Sequence, residues 1–286
     1  KYENGYCFVI DTEFAFDLKY ARTLGLDLER FLLIQPDSGE QAVDVLMTML
    51  KQDVDIYGAV DSIPGVIPLA EIEMTVEQNF MGKHPMLINR MVKLANNRLK
   101  RSLTNEEAPV TILALLNQIR EKVGLVFGSP ETTPGGRGKD FFSSVILNLR
   151  GGEKIKEKVE RNGVTRELQA GREHTVVVNK NKCGGKPFEE AKYVYYTRNI
   201  NGHVFGTYNN AETAFEYGVF HDVITNVGGK FTYTYKGNTV AYGKESAFIK
   251  YLDQTPKVLR ALHRDILKVL REENQPPVVE SAEEEE

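Results

Sequence analysis

Cysteine is scarce: Cys7 sits in an apolar run and Cys183 beside glycines, with no C-x-x-C and no Cys/His spacing. That excludes a disulfide framework and a zinc module, and it fits a reducing cytoplasm. No apolar run approaches the ~20 residues of a membrane span. The start, Lys1 followed by strand-like Tyr6-Cys7-Phe8-Val9-Ile10, lacks the basic head and longer apolar stretch of a signal peptide. The chain therefore reads as soluble, with no membrane partner, and as one entered partway through a fold. Excess charge is lacking too: 36 Lys and Arg against 40 Asp and Glu leave a net charge of -4. Glu280 and Glu283 to Glu286 crowd the end of the chain, so the body is close to neutral. A global field that attracts nucleic acid is excluded, and any such affinity has to come from local basic segments. No internal repeat is visible, and the one low-complexity stretch, the acidic tail, is expected to be disordered.

What is present is ordinary globular composition, 41% hydrophobic and 27% charged over 286 residues, which suits one large domain and one small one. In the first half, short apolar runs alternate with helical patterns, the mark of a parallel sheet flanked by helices. Strands are expected over 6–10, 31–34, 55–60 and 110–116. Helices are expected over 18–24, over 39–51 behind a Ser38-x-x-Gln41 capping box, and over 86–101. From 141 onward strands follow without long helices, over 143–150, 173–178 and 191–197, as antiparallel edge strands would. Past about 199 come a helix over 211–225, a hairpin over 231–242 turning at Lys236-Gly237-Asn238, and two terminal helices. The last helix has Thr255 as N-cap, Pro256 in its first turn and Val258, Leu262, Ile266, Val269 and Leu270 on one face. The expected organisation is an α/β core over 1–198, an α+β lobe over 199–273 and a tail over 274–286.

Four segments carry chemistry. Val9-Ile10-Asp11-Thr12-Glu13 delivers acids to the carboxyl end of a strand, where ligands bind in open α/β sheets. A carboxylate there can orient and deprotonate a water, or it can simply cap a turn. Ile56 to Asp61-Ser62 has the shape of a Walker B strand, whose Asp holds Mg²⁺ directly or through water, although apolar strands ending in Asp are common. Asn117-Gln118-Ile119-Arg120 follows a strand and leads into a long Gly-, Pro- and Thr-rich stretch. A Gln there can sense a γ-phosphate, and the loop beyond can be ordered or released by that contact. Arg120, Lys122, Arg137 and Lys139 offer cations for phosphates and Phe127 a stacking ring, but a plain surface loop has the same composition. In Asn179-Lys180-Asn181-Lys182 two lysines at spacing two point to one face. They repel unless a polyanion lies between them, or they protect an edge strand.

Taken in order, these segments resemble the bacterial and phage RecA recombinases. The resemblance is carried by Val9 to Asp17, Gln35-Pro36-Asp37-Ser38-Gly39-Glu40-Gln41-Ala42, Asn117 to Arg120, Phe127-Gly128-Ser129-Pro130-Glu131-Thr132-Thr133, Gly135-Gly136, and Lys180-Asn181-Lys182 with Pro187-Phe188 beyond. It spans about 6 to 271. It implies a RecA-like ATPase core with ATP and Mg²⁺ as cofactors, and a cytoplasmic protein that assembles into a helical filament on single-stranded DNA. Pairing with homologous duplex DNA and strand exchange, in recombination and repair, would follow. Residue by residue, it implies Glu13 as the general base, Asp61 as the Walker B acid on Mg²⁺, and Asp17 and Tyr20 at the nucleotide, with Tyr20 packing on adenine. Gln118 is implied as γ-phosphate sensor, and Lys180 and Lys182 as reaching a neighbour's ATP. The region 73–82, with Met81, is implied as a first DNA loop. A second, over 119–139, would contact DNA through Arg120, Phe127, Glu131, Gly135, Gly136 and Arg137.

The sequence departs from the family pattern in places. The phosphate-binding pattern G-x-x-x-x-G-K-[ST] is absent: Gly184-Gly185-Lys186 is followed by Pro187, Gly228-Gly229-Lys230 by Phe231, and Gly138-Lys139 by Asp140. The expectation is a fragment of a longer recombinase; the alternative is a non-catalytic DNA-binding or filament-modulating remnant. A helicase or clock-type ATPase shares the core, but the Asn-Gln-Ile-Arg loop and the C-terminal lobe speak against one. Arg137, Lys139 and Asp140 lean toward a phage or divergent source, and the family's lobe Trp is absent, with Phe231 nearby. The tail is expected to compete with DNA for Lys257, Arg260, Arg264, Lys268 and Arg271, or only to aid solubility.

Overall fold

The computed structural model describes residues 5–75, 82–105, 107–121, 131–199 and 203–273. The chain divides into two compact units between Ile146 and Leu147, inside the stretch expected as one core. The first unit begins with β1 (Tyr6–Asp11), α1 (Leu18–Thr23), β2 (Phe31–Ile34), α2 (Gly39–Met49) and β3 (Ile56–Asp61). The short α3 (Leu69–Ile72), the long α4 (Lys83–Thr104) and β4 (Thr111–Leu115) follow. The strands form one parallel sheet in the order β2-β1-β3-β4. Right-handed crossovers put α2 and α4 on the same face. There Leu46, Ile88 and Met91 close over Phe8, Ile10 and Val60, all essentially out of solvent.

Local sequence explains the joints. Ser38 Oγ accepts from Gln41 N at 3.2 Å and opens α2, while Gln41 Oε1 accepts from Asp37 N at 2.5 Å, a capping box reaching back one residue further than usual. Gly58 is required in β3 because the Phe8 ring lies within 2.3 Å of where a Cβ would stand. After β4 comes a two-stranded ribbon, β5 (Arg120–Glu121) against β6 (Glu131–Thr132), and the short α5 (Gly138–Phe142).

The antiparallel strands expected after 141 are present as a three-stranded sheet of their own, in the order β7 (Val145–Arg161), β8 (Val164–Asn181), β9 (Glu190–Tyr196). Two are far longer than expected. They run on to Asn162-Gly163, whose φ values of 53° and 73° make the tight turn that right-twisted strands favour.

The lobe comprises α6 (Asn210–Phe220), β10 (Thr225–Val227), β11 (Lys230–Tyr235), β12 (Asn238–Tyr242), α7 (Glu245–Gln254) and α8 (Pro256–Glu273). Its own core gathers Phe215, Ile224, Tyr233, Phe248, Leu252 and Leu262. Two expectations need correcting. The helix expected to reach 225 stops at Phe220, because Asp222 takes a left-handed φ of 57° and the chain turns into β10. The Thr255 hydroxyl donates back to the Tyr251 carbonyl at 2.5 Å, so its side chain closes α7 rather than capping α8. Among the described residues no helix is long and apolar enough to cross a membrane.

Candidate functional site

The carboxyl ends of β1 and β3 meet in register at Asp11 and Asp61. Asp11 is 2% exposed, and its carboxylate accepts from Glu13 N at 3.2 Å, Ala15 N at 3.3 Å, Phe16 N at 3.1 Å and Gln35 Nε2 at 3.0 Å. Burial works against its ionisation, but Gln35 and the three backbone donors outweigh it and hold the carboxyl below its ordinary value. Asp11 therefore folds the loop that presents Glu13; for Asp11 the turn-capping reading is the correct one. Thr12 fastens that loop to β3: its hydroxyl donates to the Ser62 carbonyl at 2.9 Å, and Thr12 N donates to the Asp61 carbonyl at 2.7 Å.

Glu13 leaves this platform with two donors on one oxygen. Ser62 Oγ donates to Oε1, and Gln118 Nε2 donates to the same atom at 3.2 Å. The candidate base, the Walker B-like strand and the candidate sensor, 105 residues away from Glu13 in the chain, are thus joined by hydrogen bonds. Asn117 holds the sensor in place, accepting from Gln118 N at 2.9 Å through Oδ1 and donating to the Pro134 carbonyl at 3.0 Å through Nδ2. Ser62 and Gln35 were not singled out from the sequence as site residues. Their signal lay in motifs already noted, the residue after Asp61 and the first residue of Gln35-Pro36-Asp37.

Asp61 differs from Asp11. Desolvation first, then the charges of Glu13 and Asp11, push its carboxyl above the ordinary value, and no donor reaches it among the described residues. Among those residues, three carboxylates gather here with no cation between them. Asp11 and Glu13 are committed to donors and Asp61 is not. Accordingly, no group of three His, Cys, Asp or Glu among the described residues could hold a metal by protein ligands alone. A single free carboxylate fits Mg²⁺, which keeps several waters and takes few protein ligands. The ionised form of Asp61 costs folding stability above its raised folded value, and that cost disappears below the ordinary value near 3.8. Asp61→Asn should therefore raise Tm at neutral pH by about 2–4 °C. Mg²⁺ should raise the Tm of the parent chain and not of the variant. Scanning calorimetry decides, and an equal Mg²⁺ response in both would remove the ion from Asp61.

The remaining candidates fall into three groups. Asp17 is the N-cap of α1, its Oδ1 accepting from Lys19 N at 2.8 Å and Tyr20 N at 3.0 Å, which sets the start of the helix carrying Tyr20. Around the second loop, Arg120 pairs with Thr132 in the ribbon and Glu121 with Glu131. Gly135 and Gly136, at φ 95° and 74°, pack on Ile88, Ile63, Pro85 and Asn89, leaving no room for side chains. Arg137 is exposed at the start of α5. Lys139 is a correction. It is 6% exposed, and its ammonium is held by Thr133 Oγ1 at 2.6 Å and Asp140 Oδ1 at 2.7 Å, so it is a structural cation and not one offered to phosphates. Met81, Lys122 and Phe127 lie outside the described residues, as does the acidic tail. In the second unit, Lys180 is half-buried near the end of β8 and Lys182 is exposed just beyond it. On α8, Arg264, Lys268 and Arg271 line an open groove with Leu267 and Glu272.

The model of the RecA N-terminal domain matches residues 1–201. This chain belongs to the RecA family. It is 31% identical over 274 residues to the protein RecA of Mesomycoplasma hyopneumoniae strain 7448, covering 96% of this chain and 73% of the relative. The proteins of strains J and 232 give the same figures. For a RecA-family chain the parallel sheet, the antiparallel strands and the C-terminal lobe are the expected α/β core with its appended α+β domain.

Proposed function

We propose that this RecA-family chain acts in homologous recombination and repair as an ATP-dependent recombinase, forming a filament on single-stranded DNA and exchanging strands with homologous duplex DNA. The observation that carries the reading is the Gln118 amide on the Glu13 carboxylate. One side chain just past the end of β4 touches the residue suited to activating water and lies shortly ahead of the ribbon, from Arg120, that leads to the second DNA loop. A γ-phosphate arriving between them would compete for the amide and so bias the loop, while DNA holding the loop would bias the amide, which is reciprocal coupling. Asp61 would hold Mg²⁺ beside the phosphates, and that ion supplies charge neutralisation of the triphosphate. Asp17 and Tyr20 would receive the base. Lys180 and Lys182, placed at one strand end, would serve the nucleotide of a neighbouring subunit in the filament. Arg120, Arg137 and the glycine backbone, with Glu131, Met81 and Phe127 in the two loops, would hold the single strand without reading sequence.

The reading is tested in a protein that joins these residues to a phosphate-binding loop, by single-strand binding with and without a non-hydrolysable ATP analogue, followed by anisotropy. Nucleotide should tighten binding in the parent chain, and Gln118→Ala should abolish that tightening with basal binding kept. Nucleotide-independent binding in both would end the coupling reading. A second reading, a non-catalytic DNA-binding or filament-modulating remnant, draws on the absence of G-x-x-x-x-G-K-[ST] from these 286 residues. It predicts single-strand binding that stays indifferent to nucleotide, and no DNA-dependent hydrolysis, even when a phosphate-binding loop is joined to these residues.

A further inference from the structure

We infer that Glu40 is a positioning residue that ties the first DNA loop to the Glu13 site, along a path separate from the second loop. Glu13 Oε1 is the branch point. It accepts from Gln118, which leads to the second loop, and from Ser62, which opens the segment 62–68 that runs from β3 to α3. That segment is fastened at its start. Ser62 N donates to Thr12 Oγ1 at 3.0 Å, and Gly65 packs so close to Thr12 that a Cβ on it would overlap the hydroxyl. Ile63 and Val66 are buried. The far end is fastened from another direction. The Ile67 carbonyl accepts from Gly39 N at 2.6 Å, and Glu40 Oε2 accepts from Leu69 N, the first amide of α3, at 2.8 Å. Gly39 and Glu40 are the first two residues of α2, four and five positions beyond Gln35, which donates to Asp11 at the base of the Glu13 loop. The contacts close a ring, with the Glu13 loop on one side and the start of α3 on the other.

Glu40, rather than packing, governs α3. The helix has four residues and buries none of them, Leu69 and Ile72 being 46% and 50% exposed. So short a helix is not stable by itself, and exposed segments with few apolar contacts open at low cost. Its N-cap is Pro68, which makes no side-chain cap hydrogen bond. The Glu40 carboxylate supplies from α2 the acceptor that a Ser or Asp would offer at that cap, and a negative charge suits the first amides of a helix. The last residue of α3, Ile72, directly precedes the 73–82 region. A shift of the Glu13 loop therefore reaches α3 through the buried Ile63 and Val66, and the Glu40 bond determines whether α3 follows. The inference rests on the recombinase reading for the nucleotide and for a DNA loop over 73–82; Glu40 and Leu69 belong to neither site.

The test is hydrogen exchange read by mass spectrometry, with and without a non-hydrolysable ATP analogue, in the protein joined to a phosphate-binding loop. In the parent, nucleotide should slow exchange over both 73–82 and 119–139, by about 5–150-fold for coupling of ordinary size. Glu40→Ala removes the acceptor of the bond. Leu69→Pro removes the donor, at a first-turn position that suits proline and after a Pro68 whose ψ of 140° is compatible with one. Each should cancel the slowing over 73–82 and leave that over 119–139. The double variant should be no worse than either single one, because both break the same bond. Glu40→Gln keeps an acceptor oxygen and should behave as the parent does. Slowing over 73–82 that survives in Glu40→Ala and Leu69→Pro overturns the inference. Loss of slowing over both segments also overturns it, since Glu40 would then support the fold at large. Slowing confined to 119–139 in the parent overturns the inference and leaves the recombinase reading standing, whereas a parent with no slowing in either segment ends that reading and the inference with it.

Discussion

Glu13→Gln is expected to lower single-strand-dependent ATP hydrolysis by about 10²–10⁴-fold, the contribution of a positioned general base. Nucleotide and DNA binding should be kept. The measurement is phosphate release in a protein that joins these residues to a phosphate-binding loop. The substitution is informative because the surroundings of Glu13 are so specific. Its Oε1 accepts from both Ser62 Oγ and Gln118 Nε2, hydrogen bonds that a glutamine oxygen can still accept. The shape and both hydrogen bonds can persist, so what disappears is the capacity to take a proton from water. A purely structural Glu13 predicts the opposite pattern, a lowered Tm with an unaltered rate. Hydrolysis within about twofold of the parent would remove Glu13 from the chemistry. Retained hydrolysis that no longer depends on DNA would instead move the assignment to coupling through Gln118.

The parallel sheet was legible because its strands are buried on at least one face and read as apolar runs, 31–34 being recovered to the residue. The ribbon of β7 and β8 was not. From Glu153 to Arg166 its strands carry charge at most positions and are exposed, so no hydrophobic alternation marks them. Asn162-Gly163, the strongest short hairpin signal, was present in the sequence and passed over. At the site, Asp11, Glu13 and Asp61 were legible as acids at strand ends. Which one is bound up in folding and which is available was not, because that depends on Gln35 and Ser62 arriving from other strands. Lys139 misled for the same reason. In sequence it is a loop cation, and only the folded loop shows Thr133 and Asp140 around its ammonium.

Asp11→Ala should cost about 3–5 kcal/mol of folding stability, because it leaves three backbone N–H groups and the Gln35 amide without their buried acceptor. Asp11→Asn should cost nearly as much, since its NH₂ would face donors. Urea unfolding followed by circular dichroism reads both. The pH dependence separates this from a simple cavity effect. A carboxyl held below its ordinary value of 3.8 contributes stability that is fully present above that value and is lost as pH falls through the lower folded one. The parent chain should therefore lose its advantage over Asp11→Asn on acidification below about pH 4 and keep it unchanged from there to neutrality. Asp61, with its carboxyl shifted the other way, gives the opposite sign: the stability gained by Asp61→Asn at neutral pH fades as the pH falls. If Asp11→Asn matched the parent at neutral pH, the loop from Thr12 to Phe16 would not depend on a charge at Asp11, and another account of how Glu13 is held at the end of β1 would be required.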